Sequence, residues 1–505
     1  MKNQRRLRIT TAEGEVRGTM DENLFVFRGI PYAAPPVGAL RWRPPQAVIP
    51  WQNVRDATTW GRASWQNSEY CVAAGGGDPG PFSEDCLYLN IWTPDIEPAS
   101  PLPVMVWLHG GGFTLGAGAL PPYNGKSLAA RGVVVVTLNY RLGHLGFFAH
   151  PALDAEYPDG EPINNFALLD QIAALQWVQR NIPAFGGDRR NVTLFGESSG
   201  ARSVLSLCCS PLAKGLFHKG IVQSAYSVPD VPRSQALKTG VAAAKYLGLD
   251  NASAEDLRGL PAHAFWPLGN DLANGPVPIV GDAVLPKPML ATFRAGKQHR
   301  LPLMIGCNSD EASVLDYFGV DATRIIQEMR QKKRLSYRLV KSFYDIHDDA
   351  LLGRALARDM AFTALTWLIV KAQHDIGMPG WRYWFDYVAE NERDLYPHGT
   401  WHGNEIPYIF NTLCHMQPDI NARPYTAADY AFSRKVSEYW LGFARDATEF
   451  THTLQGETPW PAWHPCHDVT LSMGEKGKAA LVLKRNFMRS RLWLCRLMMR
   501  AMVRL

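Results

Sequence analysis

Cysteine is scarce in this chain, eight residues among 505. So few thiols over such a length exclude a disulfide-built scaffold, and no Cys/His cluster has metal-ligand spacing. Long apolar runs are missing too, so no segment can span a bilayer as a helix. The basic start leads straight into the strand-like Leu7-Arg-Ile-Thr-Thr11, without the apolar stretch of a secretion signal, and the expected location is the cytoplasm. An excess of one charge is absent as well. A formal net charge of +5 is small for this size and implies no nucleic-acid partner. Low-complexity tracts and internal repeats are lacking, which excludes a disordered chain or a solenoid. What remains, 46% hydrophobic and 20% charged residues, is an ordinary globular composition.

Against this background one run stands out: Asn191-Val-Thr-Leu-Phe-Gly-Glu-Ser-Ser-Gly-Ala201. Val192 to Phe195 have strand composition, Ala201 to Cys208 that of a buried helix, and a Gly-x-Ser-x-Gly turn joins them. This is the pattern of a nucleophile elbow, a tight strand-to-helix turn that lifts a serine hydroxyl above a sheet. Only Ser198 has glycine two residues away on both sides, Gly196 and Gly200, so Ser198 is the expected nucleophile. Ser199 is expected to offer its backbone N–H to an oxyanion.

From Leu87 onward strand and helix patterns alternate, the signature of a mostly parallel sheet with crossover helices. Leu102–Leu108, Gly132–Leu138 and Leu301–Gly306 read as buried strands, Phe166–Gln179 as a helix, and Trp381–Tyr387 as a further strand. Residues 7–60 read as short strands broken by turns. No linker is evident, so the expectation is one α/β domain over 1–505 with N-terminal β-hairpins and helical insertions. The first buried strand ends in His109-Gly-Gly-Gly-Phe113, where side-chain-free residues let backbone N–H groups approach a ligand oxygen. Gly111, Gly112 and Ser199 are the expected oxyanion donors. A serine nucleophile also needs a base and an orienting acid, in the order Ser, acid, His. His402, in the turn-like Thr400-Trp-His-Gly-Asn-Glu405, is one candidate base among several downstream histidines. Gly306-Cys-Asn-Ser-Asp-Glu311 follows a buried strand and offers two carboxylates, and spacing does not choose between Asp310 and Glu311.

These motifs together resemble the type B carboxylesterase family, in the style of its bacterial p-nitrobenzyl esterases. The likeness runs from about residue 8 to about 465, through Phe27-Arg-Gly-Ile-Pro-Tyr32, Ser83-Glu-Asp-Cys-Leu-Tyr-Leu-Asn90, His109-Gly-Gly-Gly-Phe113, Asn139-Tyr-Arg-Leu-Gly143, Leu168-Leu-Asp-Gln171, Phe185-Gly-Gly-Asp188, Gly196-Glu-Ser-Ser-Gly200, Asn308-Ser-Asp-Glu311 and His402-Gly-Asn-Glu405. It implies an α/β-hydrolase fold and a Ser198–His402–Glu311 triad that cleaves carboxylic esters through an acyl-enzyme, with a small-molecule ester as partner and no cofactor or metal. It also implies buried ion pairs Arg41–Glu84 and Arg141–Asp170, and supporting roles for Glu197, Ser224 and Glu405. Two rival readings are an acyltransferase using the same triad and a catalytically silent, neuroligin-like interaction protein.

The chain departs from the family at Ser199, where Ala is usual, and at Arg202, which needs an anion or solvent. The loop between Cys71 and Cys86 contains no Trp, so the aromatic platform of the cholinesterases is missing and choline esters are not expected substrates. Those two cysteines either pair, for about 3 kcal/mol, or stay reduced in the cytoplasm. Cys208 and Cys209 are expected to pack as small apolar residues.

Residues 484–505 form a basic tail without a single acid. On a helix, Arg485, Arg489, Arg496, Arg500 and Arg504 share one face, and Leu492, Cys495, Met499 and Met502 line another. Such a helix either packs on the body or lies on an anionic membrane surface or a partner.

Overall fold

The computed structural model describes residues 7–503 apart from 74–75, 158–159, 161, 266–267, 269–275, 316–320, 416–423 and 476. Arg504, and the side chains of Arg500 and Met502, fall outside the description. The chain divides into two compact units, residues 1–220 with 229–299, and residues 221–228 with 300–505.

The first unit opens with a hairpin of β1 (Arg8–Thr11) and β2 (Gly14–Arg17). Its main sheet holds β3 (Thr19–Asp21), β4 (Leu24–Pro31), β5 (Tyr88–Thr93), β6 (Leu102–Leu108), β7 (Val134–Leu138) and β8 (Gly187–Glu197) in the order β8-β6-β7-β5-β4-β3. β6 runs parallel to both β7 and β8, whereas β5, β4 and β3 add antiparallel. The apolar runs read from sequence are these parallel strands: Val134 to Leu138 is buried at every position, as in a strand covered on both faces. Helix α1 (Phe166–Asn181) buries Leu168, Leu169, Ile172, Leu175 and Val178. Two ion pairs lie where the resemblance put them, Arg141–Asp170 fully buried and Arg41–Glu84 with Glu84 partly exposed. The Arg141 guanidinium meets both Asp170 oxygens at 2.8 and 2.7 Å, and that of Arg41 meets Glu84 at 2.6 and 2.7 Å.

In the second unit β9 (Leu303–Asn308), β10 (Gly380–Phe385), β11 (Val469–Glu475) and β12 (Lys478–Arg485) stand in the order β12-β11-β10-β9. The first three are parallel, and β12 closes the edge antiparallel. Arg485 therefore ends a strand and does not share the helical face assigned to it. The tail helix spans Arg489–Val503 and buries Leu492, Leu494, Cys495 and Met499. The Tyr344 hydroxyl lies 3.3 Å from the Cys495 sulfur, so the helix packs on its own unit. All eight cysteines are free thiols, Cys71 and Cys86 included.

Candidate active site

The first unit holds the elbow. β8 ends at Glu197, and helix α2 (Ser199–Cys209) begins one residue after Ser198. Ser198 itself takes φ 54°, ψ −120°, a strained position for a residue with a side chain. The flanking glycines permit the turn because backbone fills the space where Cβ atoms would be. A Cβ on Gly200 would lie 2.0 Å from the Leu108 carbonyl oxygen, and one on Gly196 2.7 Å from the same atom. Ser199 starts the helix, so its N–H has no intrahelical acceptor.

The glycine segment lies against this turn. A Cβ on Gly110 would meet a Glu197 carboxylate oxygen at 2.5 Å and the Ser198 Cβ at 3.2 Å. Gly111 and Gly112 adopt φ of 105° and 61°, which glycine tolerates and other residues resist. The Gly111 carbonyl accepts from the N–H groups of Thr114 and Leu115, both at 3.0 Å, and a side chain at Gly111 would strike the Leu115 carbonyl. Gln66, a buried residue with no signal in the sequence, pins the loop by exchanging two hydrogen bonds with the Gly116 backbone at 2.8 and 2.7 Å.

His109 stacks on Tyr140, with centroids 4.4 Å apart. Burial lowers its pKa to about 4. It is neutral in the folded chain, whereas the unfolded chain takes up its proton below about 6.5. Its stabilising contribution is full above pH 6.5 and is lost as pH falls towards 4. We expect denaturation series to lose about 3 kcal/mol of stability over that window from His109 alone, and His109→Asn to flatten the profile.

The second unit holds an acid–histidine pair. The Glu311 Oε2 lies 2.5 Å from His402 Nδ1, and its other oxygen accepts the Asn308 N–H at 2.6 Å. Residues 308–313 clamp the histidine loop at four points. The Asn308 amide donates to the Trp401 carbonyl at 2.9 Å, and the Asp310 N–H to the Thr400 carbonyl at 2.9 Å. In return the Thr400 N–H donates to Ser309 Oγ at 2.8 Å, and the His402 N–H to Ser313 Oγ at 2.9 Å. Asp310 faces elsewhere, held by Arg354 at 2.8 and 2.9 Å. Burial raises its carboxyl above the usual range.

Glu405 is fully buried near the pair. The Asn308 amide donates to it at 2.5 Å and that of Gln223 at 3.2 Å. Burial, reinforced by the Glu311 charge, raises its pKa. Ser224 follows Gln223 with φ 54°, and its N–H donates to the Gly306 carbonyl at 2.8 Å. The Phe362 ring packs on His402 at 5.4 Å. Asn308, Gln223 and Phe362 carry no assignment in the sequence reading. Asn308 opens the Asn308-Ser-Asp-Glu311 motif, and it joins the parts of the site: its backbone N–H bonds Glu311 while its side-chain amide bonds the Trp401 carbonyl and Glu405.

Arg202, buried one turn into α2, finds its anion in the first unit. It pairs with Asp230, whose other oxygen accepts the Met289 N–H at 2.7 Å.

The model of the carboxylesterase family matches residues 5–351 and 353–491. The chain is 34% identical to para-nitrobenzyl esterase of Bacillus subtilis (strain 168), covering 90% of this chain and 92% of that one. It is 36% identical to fumonisin B1 esterase of Sphingopyxis macrogoltabida, over 86% and 81%. A solved PNB esterase superposes with a TM-score of 0.82 at 31% identity, covering 96% of this chain and 99% of that one. The chain thus belongs to the carboxylesterase family, with its α/β-hydrolase fold. Its activity class is carboxylic ester hydrolysis.

Proposed function

We propose that ester cleavage runs through a Ser198–His402–Glu311 triad and an acyl-enzyme. The observation that carries this reading is the Ser198 backbone, held at φ 54°, ψ −120° directly before the helix that follows it. Ser198 Oγ attacks the ester carbonyl as His402 takes its proton. Glu311, bonded to Nδ1, fixes the tautomer and stabilises the imidazolium that forms. The N–H groups of Gly111, Gly112 and Ser199 receive the oxyanion, each donor being worth about 10²- to 10³-fold in turnover. His402 then protonates the departing alcohol, and water repeats the sequence on the acyl group to release the acid. Glu197, Ser224 and Glu405 hold these groups in place.

A fluorophosphonate probe tests the nucleophile. One equivalent should label the folded enzyme, abolish ester hydrolysis and map to the peptide carrying Ser198. An adduct on another serine, or no adduct on active enzyme, overturns the assignment.

A further inference from the structure

The second unit carries an exposed apolar face that ester hydrolysis does not use. Helix α3 (Ala322–Lys332) leads into helix α4 (Arg334–Tyr344), which leaves Leu335 82% and Leu339 47% exposed, one turn apart. The tail helix α5 (Arg489–Val503) leaves Trp493 50% and Leu497 39% exposed at the same spacing. The two rows belong to one surface. Phe343 stacks on Trp493 with centroids 6.2 Å apart, and Arg491 reaches across to the Tyr344 carbonyl at 2.7 Å. A shallow hollow between them is lined by Phe343, Asn486, Met488, Arg489, Ser490 and Trp493.

Charge tells what covers this face. Residues 330–345 hold six cations and one acid, and residues 484–505 hold seven cations and none. Of the acids nearby, Glu328 is engaged by Arg324 and Lys332, and Asp349 by Arg330 and the Tyr337 hydroxyl; Asp345 and Asp348 lie past the far end of α4. Each exposed leucine has an arginine directly before it: Arg334-Leu335, Arg338-Leu339 and Arg496-Leu497. A protein interface concentrates apolar residues and thins out charge at its core. A lipid headgroup layer suits the opposite arrangement, with large apolar residues entering the acyl boundary while cations beside them meet phosphates, and a tryptophan at the level between.

We propose that the α4–α5 face docks the enzyme on an anionic lipid surface. The proposal does not rest on the catalytic assignment, since it concerns residues outside the triad and oxyanion loops.

Co-sedimentation of the full chain with vesicles tests it. The protein should bind phosphatidylserine/phosphatidylcholine vesicles, should bind pure phosphatidylcholine much less, and should be released by salt. Arg334→Gln with Arg338→Gln should lower the partition coefficient on the order of tenfold, and Leu335→Ser with Trp493→Ser should lower it comparably. Hydrolysis of a soluble ester should be unchanged in both variants. The proposal is overturned if anionic vesicles do not bind the chain, or if binding is indifferent to these variants. It is also overturned if the face mediates self-association, seen as a concentration-dependent dimer that the same substitutions dissolve.

Discussion

Glu311→Gln should lower kcat by about four orders of magnitude while the protein stays folded. The loss follows from one backbone donor. The Asn308 N–H, 2.6 Å from Glu311 Oε1, requires an acceptor there. A glutamine will therefore turn its carbonyl to Asn308 and its NH₂ to His402 Nδ1, where Glu311 Oε2 now lies at 2.5 Å. Facing a donor, Nδ1 must carry the lone pair, so the ring proton moves to Nε2 and the base has nothing with which to accept the serine proton. Asp310→Asn should behave differently. It weakens the Arg354 pair and costs about 1–3 kcal/mol of stability, but kcat per fluorophosphonate-titrated site should stay within a few-fold of wild type. Steady-state kinetics with active-site titration of both variants decides the matter. A severe kcat loss in Asp310→Asn with a mild one in Glu311→Gln would reverse the assignment of the acid.

The fold and the site are legible in the sequence where one short segment carries its own constraint. The Gly-x-Ser-x-Gly turn and the three glycines after His109 announce a close backbone approach, and the structure shows carbonyl oxygens where side chains would be. The valine run at 134–136 likewise has no polar face and can only be a strand covered on both sides. Pairwise facts were harder. Nothing local says that β5, β4 and β3 add antiparallel to a parallel core, since register depends on the partner strand. Asp310 and Glu311 are equivalent as letters; the 3₁₀ turn over Glu311–Val314 points them apart, one to His402 and the other to Arg354. The helical period placed Arg485 with the tail arginines, but pairing of Arg485 with Val469 holds it in the sheet.

Arg202 shows the same limit most sharply, because its partner lies 28 residues away in a loop with no motif. Both side chains of the Arg202–Asp230 pair are almost wholly buried. Asp230→Ala should therefore cost about 3–5 kcal/mol, because it strands a guanidinium away from water, and it also removes the acceptor for the Met289 N–H. Replacing both partners at once, Arg202→Met with Asp230→Leu, removes the charge with its counter-charge and should recover most of that loss. Urea unfolding at neutral pH measures all three proteins, and unchanged m-values would assign the differences to the folded state. If Asp230→Ala unfolds within about 1 kcal/mol of wild type, the pair is solvated in solution and contributes no more than a surface contact. If the double replacement is worse than the single, the ion pair does more than neutralise itself. It then anchors the first turns of the helix that presents Ser198, and the turnover of the double variant should fall along with its stability.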